Sequence, residues 1–298
     1  MSIREEIKTT LKELPRELST ASIATYTSVL HSIAKAMDVA TMSELKALDE
    51  GKVLEYVETK KNLSSKKTLL SALVLITDSE NYRKQMVQYS NEVNANYRKQ
   101  TIQPENEDNF LTPNEVKERH EKAQKDLKQS PTASNYVTYL ITALMSGVTE
   151  NIPPRRLEWA DVKVKNYDVQ KDNYLNIKTS TVVFNHYKTH STYGQQTVKI
   201  PKDIMIIIRK WLKINDSEYL LTSKTGKKLS ASQLSSLIGT IYSNSKIGIS
   251  SLRKTFTSNL YKDLPMVSDL VESAHKMGHS LQTSMVTYNK KNIKRDKK

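Results

Sequence analysis

The chain of 298 residues contains no cysteine. That removes disulfide scaffolds, thiolate metal sites and cysteine nucleophiles from its chemistry. No apolar run approaches the roughly 20 residues that a membrane-spanning helix needs. The opening segment MSIREEIKTTLKELP carries acidic residues and no apolar core, so no secretory signal is expected. These absences predict a soluble protein, either intracellular (nucleus, cytoplasm or a viral factory) or packaged in a particle. Glycine is also scarce at 7 residues, beside abundant Lys, Asn, Ile, Ser, Thr and Tyr, as an AT-rich coding genome produces. Acidic residues are outnumbered, 32 against 46 Lys and Arg, for a formal net charge of +14. An excess of this size suits a polyanionic partner, because each cation placed on a phosphate releases condensed counterions.

What is present divides into two parts. Residues 1–100 read as a small helical bundle. Ile23, Tyr26, Val29, Leu30, Ile33 and Met37 line one helical face. Further helices follow Asp49 and Ser64, and the last spaces Tyr82, Met86, Tyr89, Val93 and Tyr97 by three and four. Residues 101–111 are polar and read as a linker. Thr112-Pro113-Asn114-Glu115 then supplies a capping hydroxyl, a proline at the first helical position and a glutamate at the third, which opens a helix. Residues 112–298 read as a second, mostly helical domain. A helix over Asn135–Met145 is ended by Gly147, and strands are expected at Val162–Tyr167, Tyr174–Ile177, Thr181–Phe184 and Thr197–Ile200. Helices over Ile204–Leu212, Gln233–Tyr242, Ser250–Tyr261 and Val267–Lys276, and one around Tyr288, complete it. The expected class is mainly α with a small antiparallel sheet.

Breaking a phosphodiester without a metal needs a nucleophile, stabilisation of negative charge on the non-bridging oxygens and a proton for the leaving 5′-oxygen. Guanidinium groups suit the second task, since their planar fork binds two phosphate oxygens and stays charged. Lysine or histidine suits the third. A tyrosine nucleophile conserves the bond energy as an aryl phosphate ester, so rejoining needs no nucleotide.

Residues of these types occur in order. Met277-Gly278-His279-Ser280 is followed by Tyr288, nine positions after the histidine. Ser250-Ser251-Leu252-Arg253 lies upstream, and Pro153-Pro154-Arg155-Arg156-Leu157-Glu158 further back. Between them runs Phe184-Asn185-His186-Tyr187-Lys188-Thr189, then Tyr193-Gly194 and Val198-Lys199-Ile200-Pro201. The set resembles the tyrosine recombinase (phage-type integrase) family. Its Pro-Pro-Arg-Arg form and Tyr-Lys-Thr hairpin are most similar to integrases of large DNA viruses, virophages and related transposons.

The resemblance runs through motifs over residues 112–298, and over 1–100 only in kind, as a helical DNA-clamping domain. It implies Arg155, Lys188, Arg253, His279 and the nucleophile Tyr288 as catalytic residues, with Arg156 an alternative to Arg155. It implies duplex DNA as substrate, a 3′-phosphotyrosyl intermediate, no metal or other cofactor, no membrane partner and a tetramer on paired sites, monomeric or weakly associated when free. Lys66, Lys67, Arg83, Lys84, His186, His190 and Lys254 are candidate DNA contacts, although a solvated face is the plainer reading of any one of them.

One position departs from the pattern. Ser250 stands where the family has histidine or lysine. A hydroxyl can bond a phosphate oxygen but carries no charge and accepts no proton near neutral pH. Ser250 either contributes one hydrogen bond to an altered site or caps the helix that begins there. Glu158 is expected to buttress an arginine or cap a helix, not to act as a base, and Trp159 and Trp211 to sit in the core. His275 and His279 share a helical spacing without a third ligand in register, a poor metal site. Two other functions fit the same residues: a type IB topoisomerase with the same tyrosyl chemistry, or a DNA-binding relative whose catalytic set has decayed.

Overall fold

The protein is described here through a computed structural model, covering residues 2–98, 108–262, 266–277, 280–283 and 285. It forms two compact units, Met1–Thr101 with Pro265–Lys298 in one and Ile102–Leu264 in the other.

The first unit opens with six helices: α1 (Ile3–Lys12), α2 (Thr20–Ala36), α3 (Met42–Lys46), α4 (Glu50–Glu58), α5 (Leu63–Thr77) and α6 (Glu80–Arg98). Four begin at a polar side chain that takes up a free amide of the first turn. Ser19 accepts from Ser22, Asp49 from Lys52, and Asn62 from Ser64 and Ser65, while Thr41 and Glu44 close a reciprocal capping box. Ile7, Leu11, Leu30, Ile33, Val53, Val57, Leu70 and Leu73 are fully buried in its core. Asp78, in the left-handed region at φ 54°, ends α5 and lets the chain fold back as α6. The sequence pattern shows four of these helices. The five-residue α3 is too short to display a period, and α1 buries only Ile7 and Leu11.

The second unit contains α7 (Pro113–Gln129), α8 (Ala133–Met145), a 3-10 turn over Leu157–Asp161, strands β1 (Val162–Lys163), β2 (Asn173–Asn176), β3 (Thr181–Phe184) and β4 (Gln196–Lys199), a one-turn helix α9 (His190–Tyr193) between β3 and β4, then α10 (Lys202–Trp211), α11 (Ala231–Ile241) and α12 (Ile249–Leu260). The predicted start at Thr112 is present as a full capping box with Pro113 in the first turn. Tyr136 through Met145 are buried apart from Thr138, so α8 is the central helix around which the unit packs. Trp159 and Trp211 belong to this core, as expected, at 0% and 2% exposure.

The sheet order is β1-β2-β3-β4, with β2, β3 and β4 antiparallel. The first strand corrects the sequence reading. Expected over Val162–Tyr167, it spans two residues and pairs with β2 in parallel. Beyond it the Val164 amide donates to the Glu218 carbonyl, and Asn166 turns at φ 53°, leaving the sheet. Two further helices, α13 (Val267–Lys276) and α14 (Leu281–Thr283), follow. The helix expected around Tyr288 lies outside the described residues.

Candidate active site

The first arginine is placed by a glycine and two prolines. After α8 the chain turns at Gly147, φ 83°, where a Cβ would lie 2.5 Å from Cδ2 of Phe256 and 3.0 Å from Cδ of Pro154. Only glycine permits both this backbone and this approach. Pro153 and Pro154 then hold the segment out of helix and deliver Arg155 to the face of the sheet.

The Arg155 guanidinium lies over the Phe184 ring, 4.3 Å from its centre, and 5.1 Å from that of Tyr187. Its Nη1 donates to Oε1 of Gln196 at 2.6 Å, while Nε is buried without a protein partner. Burial pulls the Arg155 pKa below its usual value. The Glu158 carboxylate and Tyr187 oppose that shift, and the positive charge of Arg253 adds to it. Arginine remains cationic under such pressure at any working pH. Arg156, by contrast, is exposed at the cap of the 3-10 turn. Burial and the contact with two aromatic rings therefore set the two neighbouring arginines apart. The negative charge of Glu158 favours the cationic form of Arg155, and one of its carboxylate oxygens is buried without a hydrogen-bond partner.

Lys188 lies in the β3–β4 connection and is exposed, as are His186 and His190. The base of that connection is tied down. Asn173 Oδ1 accepts from the amides of Asn185 and His186, and its Nδ2 donates to the His186 carbonyl. Asn185 Nδ2 donates to the carbonyls of Val169 and Asp172, and the Tyr187 hydroxyl donates to the Gly194 carbonyl at 2.7 Å. Lys188 therefore stands on a fixed base with its own side chain in solvent.

Arg253 projects from α12, which Leu252 (0% exposed) and Ile249 (8%) anchor in the core. The Thr255 hydroxyl donates to the Leu111 carbonyl at 2.8 Å. The capping reading of Ser250 is corrected: Gly248 occupies the cap position and offers no side chain, and Ser250 is exposed one residue inside the helix. Its hydroxyl is left in solvent on the same helix as Arg253. Lys254 is exposed with its ammonium over the Phe110 ring. His279 and Tyr288 lie outside the described residues, as does the His275–His279 pairing. Among the described residues no three His, Asp or Glu side chains gather as a metal ion requires.

On the first unit the candidate DNA contacts separate. Lys66 is ion-paired with Glu58 and its side chain is 13% exposed; Arg83 pairs with Asp78 and Glu80. Lys84 is exposed and Lys67 half-buried. The residues that the sequence reading missed are those that hold Arg155, above all Gln196. A signal existed in β4, where Gln196 and Val198 alternate with exposed Thr197 and Lys199. A glutamine on the inward phase of a strand needs a polar partner.

The sequence matches no protein-family profile and no curated protein. The fold does have solved counterparts. A lambda integrase(75–356) dimer bound to a COC′ core site aligns over 99% of this chain and 100% of its own, with a TM-score of 0.50 at 14% identity. A lambda integrase tetramer bound to a Holliday junction aligns over 100% of this chain and 80% of its own, TM-score 0.48 and 13% identity. XerA recombinase aligns over 97% and 94%, TM-score 0.36 and 15% identity. The class of fold is thereby defined: mainly helical with one small sheet, as in lambda integrase.

Proposed function

We propose that the protein is a site-specific DNA recombinase that cuts and rejoins duplex DNA through a 3′-phosphotyrosyl intermediate, with residues 112–298 as its catalytic part and residues 1–100 as a DNA-clamping domain. One observation carries the reading. Arg155 is half-buried beside the sheet, and the positive charge of Arg253, 98 residues further along the sequence, adds to the pressure on its own charge. A half-buried guanidinium under like-charge pressure is relieved by an anion bound to it. A phosphodiester is such an anion.

In this reading the Tyr288 hydroxyl attacks phosphorus and the bond to the 5′-oxygen breaks. Lys188 gives that oxygen its proton, and His279 is left to take the phenolic one. Arg155, Arg253 and His279 hold the non-bridging oxygens, and Ser250 adds one hydrogen bond. Rejoining is the reverse, and the ester itself preserves the energy it needs. Exchange between two duplexes breaks four strands and so requires four nucleophiles, one from each protomer of a tetramer on paired sites. The Pro-Pro-Arg-Arg and Tyr-Lys-Thr strings favour a role in integrating a viral or mobile element.

The test is covalent trapping on a nicked suicide duplex. Wild-type protein should yield a DNA adduct that survives denaturant, and Tyr288→Phe should yield none while still binding the duplex. An adduct from Tyr288→Phe at the wild-type level ends the assignment. Binding without any wild-type adduct points instead to a decayed DNA-binding relative.

A further inference from the structure

We propose that Gln196 is a positioning residue for catalysis, fixing the direction in which Arg155 presents its guanidinium edge; this rests on the reading of Arg155 as a phosphate ligand. The Phe184 ring holds the guanidinium carbon 4.3 Å from its centre. It does not define which edge of the guanidinium points where, because a ring face attracts a cation with little preference for azimuth. The 2.6 Å bond from Nη1 to Gln196 supplies the missing restraint. With one Nη1 hydrogen committed to Gln196 and Nε buried, Nη2 and the second Nη1 hydrogen form the edge left to meet an anion, and such a fork tolerates little misalignment.

Two further features fit this role. Gln196 and Phe184 are cross-strand partners, the last pair of the β3–β4 ladder, and cross-strand partners project from the same face of a sheet. The connection that leaves this pair carries Lys188, so one clasp fixes Arg155 to the neck of the loop bearing the proposed acid. The residue type also matters. A carboxylate at 196 would neutralise the guanidinium, whereas an amide oxygen accepts the hydrogen bond and leaves the full charge for the phosphate.

The test compares wild-type, Gln196→Met, Gln196→Glu and Lys188→Ala proteins on the suicide duplex and on the same duplex with sulfur in place of the bridging 5′-oxygen. A thiolate leaves without a proton, so this substrate bypasses the general acid but not charge stabilisation. Gln196→Met should bind the duplex within about twofold of wild type and form adduct roughly 10- to 100-fold more slowly, less than the loss of a whole stabilising donor. Gln196→Glu should fall between it and wild type, which also serves if the methionine variant does not fold. Bridging sulfur should restore Lys188→Ala and leave Gln196→Met slow. Gln196→Met cleaving at the wild-type rate, or restored by sulfur, overturns the role. No adduct from wild-type protein overturns instead the reading of the site, and the role with it.

Discussion

At the scale of single residues, the second unit contains a polar group outside the site whose protonation should limit stability. His120, on α7, is half-buried, with its ring 5.3 Å from that of Tyr139 and Nδ1 3.0 Å from the Thr142 hydroxyl. That hydroxyl donates its proton to the Tyr139 carbonyl. Its contact with His120 is therefore one in which Nδ1 carries the hydrogen and donates. Burial holds the His120 pKa below its usual value, against the smaller opposing pull of Glu121 and Asp203. The unfolded chain then takes up this proton first as pH falls. The stability it contributes is complete above an unfolded pKa of roughly 6.5 and is lost below it. Urea unfolding at pH 7.5 and 5.5 should show a larger loss on acidification in wild type than in His120→Gln. Equal losses would show that His120 does not titrate in this way. Nothing in the sequence announced this histidine, because its surroundings are made by α7 and α8 packing together. Arg155 shows the same limit, since Arg155 and Arg156 both precede Glu158 closely and only burial tells them apart.

At the scale of elements, legibility followed from how local the determining interaction is. Thr112 and Glu115 cap α7 within one turn, and both the helix and its first residue were readable. The α11 start was placed two residues late, at Gln233, because that residue is the far half of a capping box whose near half is Ser230. β1 was overextended, since its pairing with β2 and the contact of Lys163 with Tyr219 are set across long sequence separations. The junction of the two arginine-bearing elements is likewise tertiary, and it passes through Gly147. Its backbone conformation disfavours any other residue, and the Phe256 ring of α12 fills the space a side chain would need. Gly147→Ala should therefore destabilise the unit by roughly 2–4 kcal/mol, part from the left-handed backbone and part from overpacking. A double-mutant cycle with Phe256→Ala separates the two parts, because relieving the clash recovers only the steric share. A cost below about 0.5 kcal/mol, the level of an ordinary surface change, would mean that Pro154 and Phe256 do not meet across this glycine.

At the scale of the whole molecule, the two hydrophobic cores share no member, and the charge of +14 is distributed over both units. The 46 lysines and arginines overstate the cations a polyanion can use. Lys66, Arg83, Lys163 and Lys228 are already paired with Glu58, Asp78 and Glu80, Asp172, and Asp161. A lysine that keeps its carboxylate releases little counterion on binding, so the steepness of the salt dependence should count the uncommitted cations. Duplex affinity of Tyr288→Phe protein, which cannot form the adduct, should fall linearly in log K against log salt, by about 0.9 per phosphate contacted. Replacing exposed Lys84 with glutamine should lower that slope by about 0.9, whereas Lys66→Gln should leave it nearly unchanged. If Lys66→Gln lowers the slope as far as Lys84→Gln does, the Glu58 pair opens on DNA and both lysines meet the backbone.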